Sequence, residues 1–111
     1  MILVVTYSKA ARGSLRNVCR IHETPIVRRF GRAVLLEETE FGAFLALRLR
    51  EKHPGEVSIE RTGPLDPTAV PHSTCQAARA FETRSNPSTS YSAFATWTDY
   101  PSIESMRDRR L

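Results

Sequence analysis

The segment that most constrains the fold is the amino-terminal run ILVVTYS, residues 2–8. Its four consecutive branched apolar side chains leave neither face of an extended strand polar. The run therefore predicts a strand buried on both faces, as in a parallel sheet. Ser8 is a good N-cap, and residues 9–23 carry apolar side chains at helical spacing, so a helix is predicted to follow.

The rest of the first 83 residues is predicted to contain further helices and strands. Thr24, Pro25 and Gly31 are typical of a compact helix over residues 24–31, because they suit its N-cap, its first turn and its left-handed exit. The remaining predicted elements are a strand at 32–38, a helix at 40–53, a strand at 56–62 and a helix at 72–83.

This order predicts a small β-α-β-α-β-α domain of the α/β class over residues 1–83, with a short and mostly parallel sheet. The alternative is a ferredoxin-like β-α-β-β-α-β arrangement, in which residues 26–38 form a hairpin that turns at Gly31. We favour the first arrangement because Thr24 and Pro25 are typical of a helix start.

Residues 84–111 are predicted to form an extended tail that is rich in Ser, Thr and aromatic residues and has no helical or strand periodicity. The aromatic residues recur every three positions and are predicted to anchor the tail: Tyr91, Phe94, Trp97 and Tyr100. Such side chains stack on unpaired bases, or pack across an apolar surface of their own domain or of a neighbouring protein.

Positive charge is concentrated near the amino terminus. The formal net charge is +4, yet residues 9–32 alone hold seven cationic residues and a single acid, Glu23. Arg12, Arg16 and Arg20 are four residues apart and are expected to line one flank of the first helix. The residues predicted to contact RNA or another polyanion are Ser8, Lys9, Arg12, Arg16, Arg20, Arg28, Arg29 and Arg32. Phosphate neutralisation by such groups dominates nucleic-acid affinity.

Two other interpretations of this segment stay open. The arginines could form a solvated surface whose charges pair with Glu23, Glu37 or Glu38. Alternatively, residues 6–14 lie at the expected strand-to-helix junction, where a small anion could bind. The groups available there are Ser8, Lys9, Arg12 and Ser14. This junction lacks the spacing of a P-loop or of a dinucleotide fingerprint.

Two groups of residues bear on metal binding and catalysis. Cys19 and His22 lie three apart on one predicted helix, as do His72 and Cys75 on another, and two such pairs could build a Cys₂His₂ zinc site. A buried, reduced cysteine explains the same pattern, so no metal and no cofactor is predicted. No set of residues has catalytic spacing, so the sequence favours a non-enzymatic protein while leaving catalysis open.

The sequence also bears on location. The apolar start MILVV lacks the basic region of a signal peptide, and no apolar run approaches the roughly 20 residues of a membrane-spanning helix. A cytoplasmic protein with no membrane partner is therefore expected.

Three segments resemble a family of small uncharacterised proteins from haloarchaea: MILVVTYSKAARGSLRNVCRIHE, VRRFGRAVLLEETEFGAFLALRLREKH and VSIERTGPL. The resemblance covers about residues 1–65 and implies no catalytic residues, because no activity accompanies it. The resemblance does imply that the protein works in a cytoplasm with a high salt concentration. Most proteins there are strongly acidic, and the basic exceptions mostly lie against polyanions, of which ribosomes are the largest.

These observations favour a non-enzymatic RNA-binding protein that associates with a ribosome or another ribonucleoprotein. The alternative is a protein-interaction subunit whose arginines meet an acidic partner and whose aromatic tail docks on it.

Overall fold

The computed structural model describes residues 1–60, 70–86 and 88–111. The first part contains β1 (Ile2–Thr6), α1 (Lys9–Ile21), β2 (Ile26–Phe30), β3 (Ala33–Leu36), α2 (Glu40–Lys52) and β4 (Val57–Glu60). The four strands form one sheet in the order β2-β3-β1-β4, and each neighbouring pair is antiparallel. The α/β class is confirmed, but the predicted mostly parallel sheet is wrong. The alternative β-α-β-β-α-β arrangement is the one that the chain adopts.

A β-hairpin replaces the helix that was predicted for residues 24–31. Gly31 has a φ of 66°, and this left-handed conformation turns a hairpin as readily as it ends a helix. Ile26, Val27 and Phe30 are β-branched or aromatic and favour a strand. Pairing with β3 satisfies backbone groups of β2, which a short helix would leave largely without partners.

One face of the sheet packs against α1 and α2. Ser8 and Thr39 cap these helices, because each side-chain oxygen accepts a hydrogen bond from the backbone N–H three residues later, at 3.0 Å. The helices predicted at 9–23 and 40–53 are therefore confirmed, within two residues at their ends. The largest apolar side chains that are completely buried are Phe41, Phe44, Ile2, Leu45, Met106, Val4 and Val34.

Three helices follow: α3 (His72–Glu82), α4 (Tyr91–Ala95) and α5 (Ile103–Arg107). The first confirms the helix predicted at 72–83 and packs against α2. The other two lie in the segment that was predicted to form an extended tail, so that prediction is wrong. The carboxyl-terminal residue also contacts the first part of the chain, because the Leu111 N–H donates a hydrogen bond to the Glu38 carbonyl at 3.1 Å. The domain boundary predicted between residues 83 and 84 stays a prediction.

The described parts of the chain contain no helix with the length and apolar character that crossing a membrane requires.

Candidate nucleic-acid interface

The arginines of α1 lie on the flank of the helix that faces away from α2. The helix buries Ala11, Leu15, Val18 and Cys19. On one side of this stripe, Ser14 Oγ lies 2.8 Å from His53 Nε2 at the end of α2, which places that flank against α2. Arg12, Arg16 and Arg20 leave the helix on the other side of the stripe and are exposed.

Arg29 and Arg32 extend this row onto the hairpin. Arg29 is paired with Val34, a core residue, so it belongs to the helix side of the sheet. Burial raises the pKa of the Cys19 thiol on α1, and the nearby Arg29 guanidinium acts in the opposite direction. Arg32 lies beside the end of β1, where its carbonyl accepts hydrogen bonds from Thr6 N and Oγ1 at 2.9 and 2.7 Å. We name the exposed set Arg12, Arg16, Arg20, Arg29 and Arg32 the arginine surface.

The charges of the arginine surface are not neutralised within the part of the chain that the structure describes. None of its five guanidinium groups forms an ion pair with a described residue. Among the acids considered as partners for these arginines, Glu38 instead binds the amino-terminal ammonium group of Met1. The arginine surface therefore presents guanidinium donors whose geometry suits carboxylate and phosphate oxygens.

Arg28 lies on the opposite face of the sheet. It is paired with Leu35, and its guanidinium carbon lies 5.2 Å from the centroid of the Phe30 ring. A β-bulge between Ile26 and Arg28 changes the alternation of side chains along β2. The structure therefore separates Arg28 from the arginine surface.

The groups considered for a small-anion site are not brought together. Ser8 Oγ accepts the capping hydrogen bond of α1 and donates to Glu56 Oε2 at 3.1 Å. The Glu56 carboxylate therefore already lies at the helix N-terminus, where it repels an incoming anion. Ser14 contacts His53 instead, and Lys9 is exposed.

Three of the four aromatic residues predicted to anchor the tail pack within the protein itself. Tyr91 is buried against Phe44 with ring centroids 4.5 Å apart, and its hydroxyl donates to a backbone carbonyl at 2.7 Å. Burial, followed by the neighbouring Tyr100, raises the pKa of Tyr91 to about 12. The rings of Phe94 and Tyr100 stack at 5.9 Å. Trp97 differs, because it is 99% exposed and has a φ of 68°.

The two cysteine–histidine pairs lie in different surroundings. Cys19 is buried on α1, and the ring of His22 meets Phe41 edge-on at 5.3 Å. Cys75 is partly buried on α3, where burial raises its pKa, and His72 is exposed. In residues 1–60, 70–86 and 88–111, no group of three or more His, Cys, Asp or Glu side chains could hold a metal ion.

His22 predicts a pH dependence of stability. Burial lowers its pKa from the ordinary 6.5, and the charges of Arg48 and Arg107 lower it further. As the pH falls below 6.5 the unfolded chain binds a proton that the folded chain resists, so the free energy of unfolding is expected to decrease. His22→Gln should reduce this decrease, whereas His72→Gln, at an exposed position, should preserve it. Urea denaturation at about pH 7.5 and pH 5.5 measures both variants, and equal pH dependence in the two would contradict the prediction.

The face of the sheet that points away from the helices is apolar and partly open. Ile2 and Val4 of β1 are buried against the helices, whereas Leu3 and Val5 point the other way and are only partly buried. The strand predicted to be buried on both faces is therefore fully buried on one. We name the residues that share the second face the outer sheet face: Leu3, Val5, Arg28, Phe30, Ala33, Leu35, Ser58 and Glu60. The run of four apolar residues was the sequence signal for this face.

Comparison with known proteins gives one family. A family model described as the DUF7855 N-terminal dimerisation domain matches residues 1–64. A second, described as the C-terminal domain of the same family of unknown function, matches residues 67–111. Searches of curated proteins and of solved structures find no match.

Proposed function

The chain belongs to the DUF7855 family, and from that premise we propose that it is a self-associating, non-enzymatic protein whose arginine surface binds RNA. Self-association is supported by the description of the family's N-terminal region as a dimerisation domain. The partner that this description supports is a second copy of the chain.

RNA binding is supported by one observation above the others. Five exposed arginines from α1 and the hairpin lie along one edge of the domain, and none has an ionic partner among the described residues. Like charges four residues apart on a helix repel by a few tenths of a kcal/mol per pair. A polyanion removes this repulsion and gains bidentate guanidinium–phosphate contacts.

The setting that we propose for this activity is a ribosome or another ribonucleoprotein in the cytoplasm of a haloarchaeon. It is supported by the resemblance of residues 1–65 to haloarchaeal proteins. In about 1 M salt the Debye length is only ~3 Å, so attraction acts only at contact distance. Guanidinium groups suit such binding, because they are weakly hydrated and form directed hydrogen bonds to phosphate.

The test is co-sedimentation of the full chain with ribosomes, in lysate at native salt, with and without ribonuclease. Wild-type protein should sediment with the particles and be released by ribonuclease. The variant Arg12→Glu/Arg16→Glu/Arg20→Glu should stay in the supernatant, because it replaces three phosphate-binding groups with repelling ones. With a labelled RNA, it should also reduce the slope of log K against log salt by about 3.

The matched control is Arg50→Glu/Lys52→Glu/Arg79→Glu. It changes the net charge by the same amount at exposed positions of α2 and α3, away from the arginine surface. This control should sediment like the wild type. Sedimentation that survives ribonuclease would overturn RNA binding and indicate an acidic protein partner. If both triple variants lost sedimentation equally, net charge and not the arginine surface would be its cause.

A further inference from the structure

The strand register arranges the outer sheet face in two rows of four residues, one residue from each strand. The first row runs from β2 to β4 as Arg28, Leu35, Leu3 and Glu60. The second row runs in the same direction as Phe30, Ala33, Val5 and Ser58. The centre of the face is thus apolar, one edge carries a cation, and the other edge carries an anion.

The outer sheet face is apolar and only partly covered by the protein itself. Phe30 is 46% exposed, and the four apolar residues of the central strands are only partly buried. A two-layer domain buries one face of its sheet under helices, and an antiparallel sheet normally has a polar second face. An apolar second face is typical of an interaction surface.

We propose that two copies of the chain stack their outer sheet faces about a two-fold axis parallel to the strands, so that Arg28 of each copy pairs with the partner's Glu60. This proposal rests on the self-association proposed above and assigns its surface. Neither Arg28 nor Glu60 has an ionic partner among the described residues.

The direction of the axis follows from the order of the strands. Two stacked sheets related by a two-fold axis have that axis between them, either along or across the strands. An axis across the strands places β2 over the partner's β2 and β4 over the partner's β4, so each charged edge meets an edge of like charge and Arg28 does not face Glu60. An axis along the strands exchanges the two edges of the sheet and keeps the position of each row along the strands. β2 therefore lies over the partner's β4, and each row lies over the same row of the partner. Only this second orientation places opposite charges together.

The side chains between the edges also fit this orientation. In the first row, Leu35 lies over the partner's Leu3, which gives a continuous apolar centre between the two ion pairs. In the second row, Phe30 lies over the partner's Ser58, whose hydroxyl is 3.4 Å from the Tyr7 hydroxyl of the same protomer. Each end of this row therefore brings aromatic rings of the two copies together at the usual sheet spacing of about 10 Å.

The test is the dimer dissociation constant, measured by analytical ultracentrifugation at low and at molar salt. Arg28→Glu and Glu60→Arg should each raise this constant at least ~10-fold, because each creates two like-charge contacts in the interface. The double variant Arg28→Glu/Glu60→Arg should return to within ~3-fold of the wild type, because it restores both pairs with exchanged signs.

The matched control is the exposed ion pair within one protomer, Arg79 with Glu51 at 3.6 Å. Arg79→Glu and Glu51→Arg should leave the dissociation constant unchanged. Leu3→Asp tests the apolar centre separately and should also dissociate the dimer, with circular dichroism confirming that the monomer is folded.

The outcomes separate the two proposals. A monomeric wild type would overturn the self-association itself. A dimer that tolerates both single charge reversals and Leu3→Asp would keep self-association but overturn the outer sheet face as its surface. Single variants that dissociate without rescue in the double variant would overturn the pairing of Arg28 with Glu60 and the orientation of the axis.

Discussion

Replacement of Phe44 by alanine is expected to lower the free energy of unfolding by about 3–5 kcal/mol, the usual cost of removing a fully buried phenylalanine ring. Phe44 is only 1% exposed, and it lies where the two family regions meet. Its ring contacts Phe41 in the same helix, and it also packs against Phe81 and Tyr91 of the C-terminal region, the latter at 4.5 Å. Alanine therefore leaves a cavity and removes the contact that docks α4 on α2.

Urea denaturation followed by circular dichroism measures this loss, and amide hydrogen exchange locates it. Exchange in α4 should accelerate more than exchange in β1, because α4 loses its packing partner while the sheet keeps its own. Trp97→Ala is the control, since Trp97 is 99% exposed and its removal should change stability by no more than about 0.5 kcal/mol. A loss below about 1 kcal/mol for Phe44→Ala would show that the C-terminal region does not depend on this contact.

The first strand shows why the sequence predicted the elements better than their pairing. The run ILVVTYS correctly predicts β1, and the caps Ser8 and Thr39 correctly predict the starts of α1 and α2. Continuous apolar character indicates burial on two faces but not what covers each face. A parallel sheet covered by helices and an antiparallel sheet covered by another copy leave the same pattern in a single strand.

Residues 24–31 show a second limit, because their signals suit two structures. A glycine with positive φ ends a helix or turns a hairpin, and Thr24-Pro25 suits the start of a helix or an extended segment before a strand. Pairing of β2 with β3 across the turn, and of β3 with β1 in the sheet, decided between the two. Propensity patterns in a single sequence do not report how strongly two strands stabilise each other by pairing.

The arginine row illustrates what spacing does and does not determine. A spacing of four residues places Arg12, Arg16 and Arg20 on one helix flank, and the structure has them there. Arg28 and Arg29 lie on opposite faces because successive side chains of a strand alternate. The β-bulge between Ile26 and Arg28 decides which of the two faces the helices, and no local signal in IVRRF marks that bulge. The outer sheet face therefore could not be assembled from the sequence, although each of its residues was visible there.

The short C-terminal helices had a local signal that periodicity missed. Ser90 and Ser102 cap α4 and α5, with each hydroxyl oxygen accepting a hydrogen bond from the backbone N–H three residues later, at 3.3 and 3.2 Å. Helices of five residues are too short to show an apolar period. Serine caps in a Ser-rich segment are indistinguishable from turn residues, so tertiary packing had to select them.

Arg109→Ala is expected to destabilise the protein by about 2–3 kcal/mol, because it leaves the buried carboxylate of Glu40 without a cation. Glu40 is only 2% exposed, its Oε1 accepts from Thr74 Oγ1 at 3.2 Å, and its Oε2 lies 3.4 Å from Arg109 Nε. The expected loss is below that for a fully buried pair, because the Arg109 side chain is itself 60% exposed. Urea denaturation of the full chain measures it.

The reason for this loss is testable with a second variant in which the charge is absent. In Glu40→Gln/Arg109→Ala the amide can still accept from Thr74, and no buried charge needs compensation, so more than half of the lost stability should return. Arg110→Ala removes a neighbouring exposed arginine and should cost no more than about 0.5 kcal/mol. If the double variant were no more stable than Arg109→Ala, the loss would come from contacts of the Arg109 stem, and the charge of Glu40 would not be its cause.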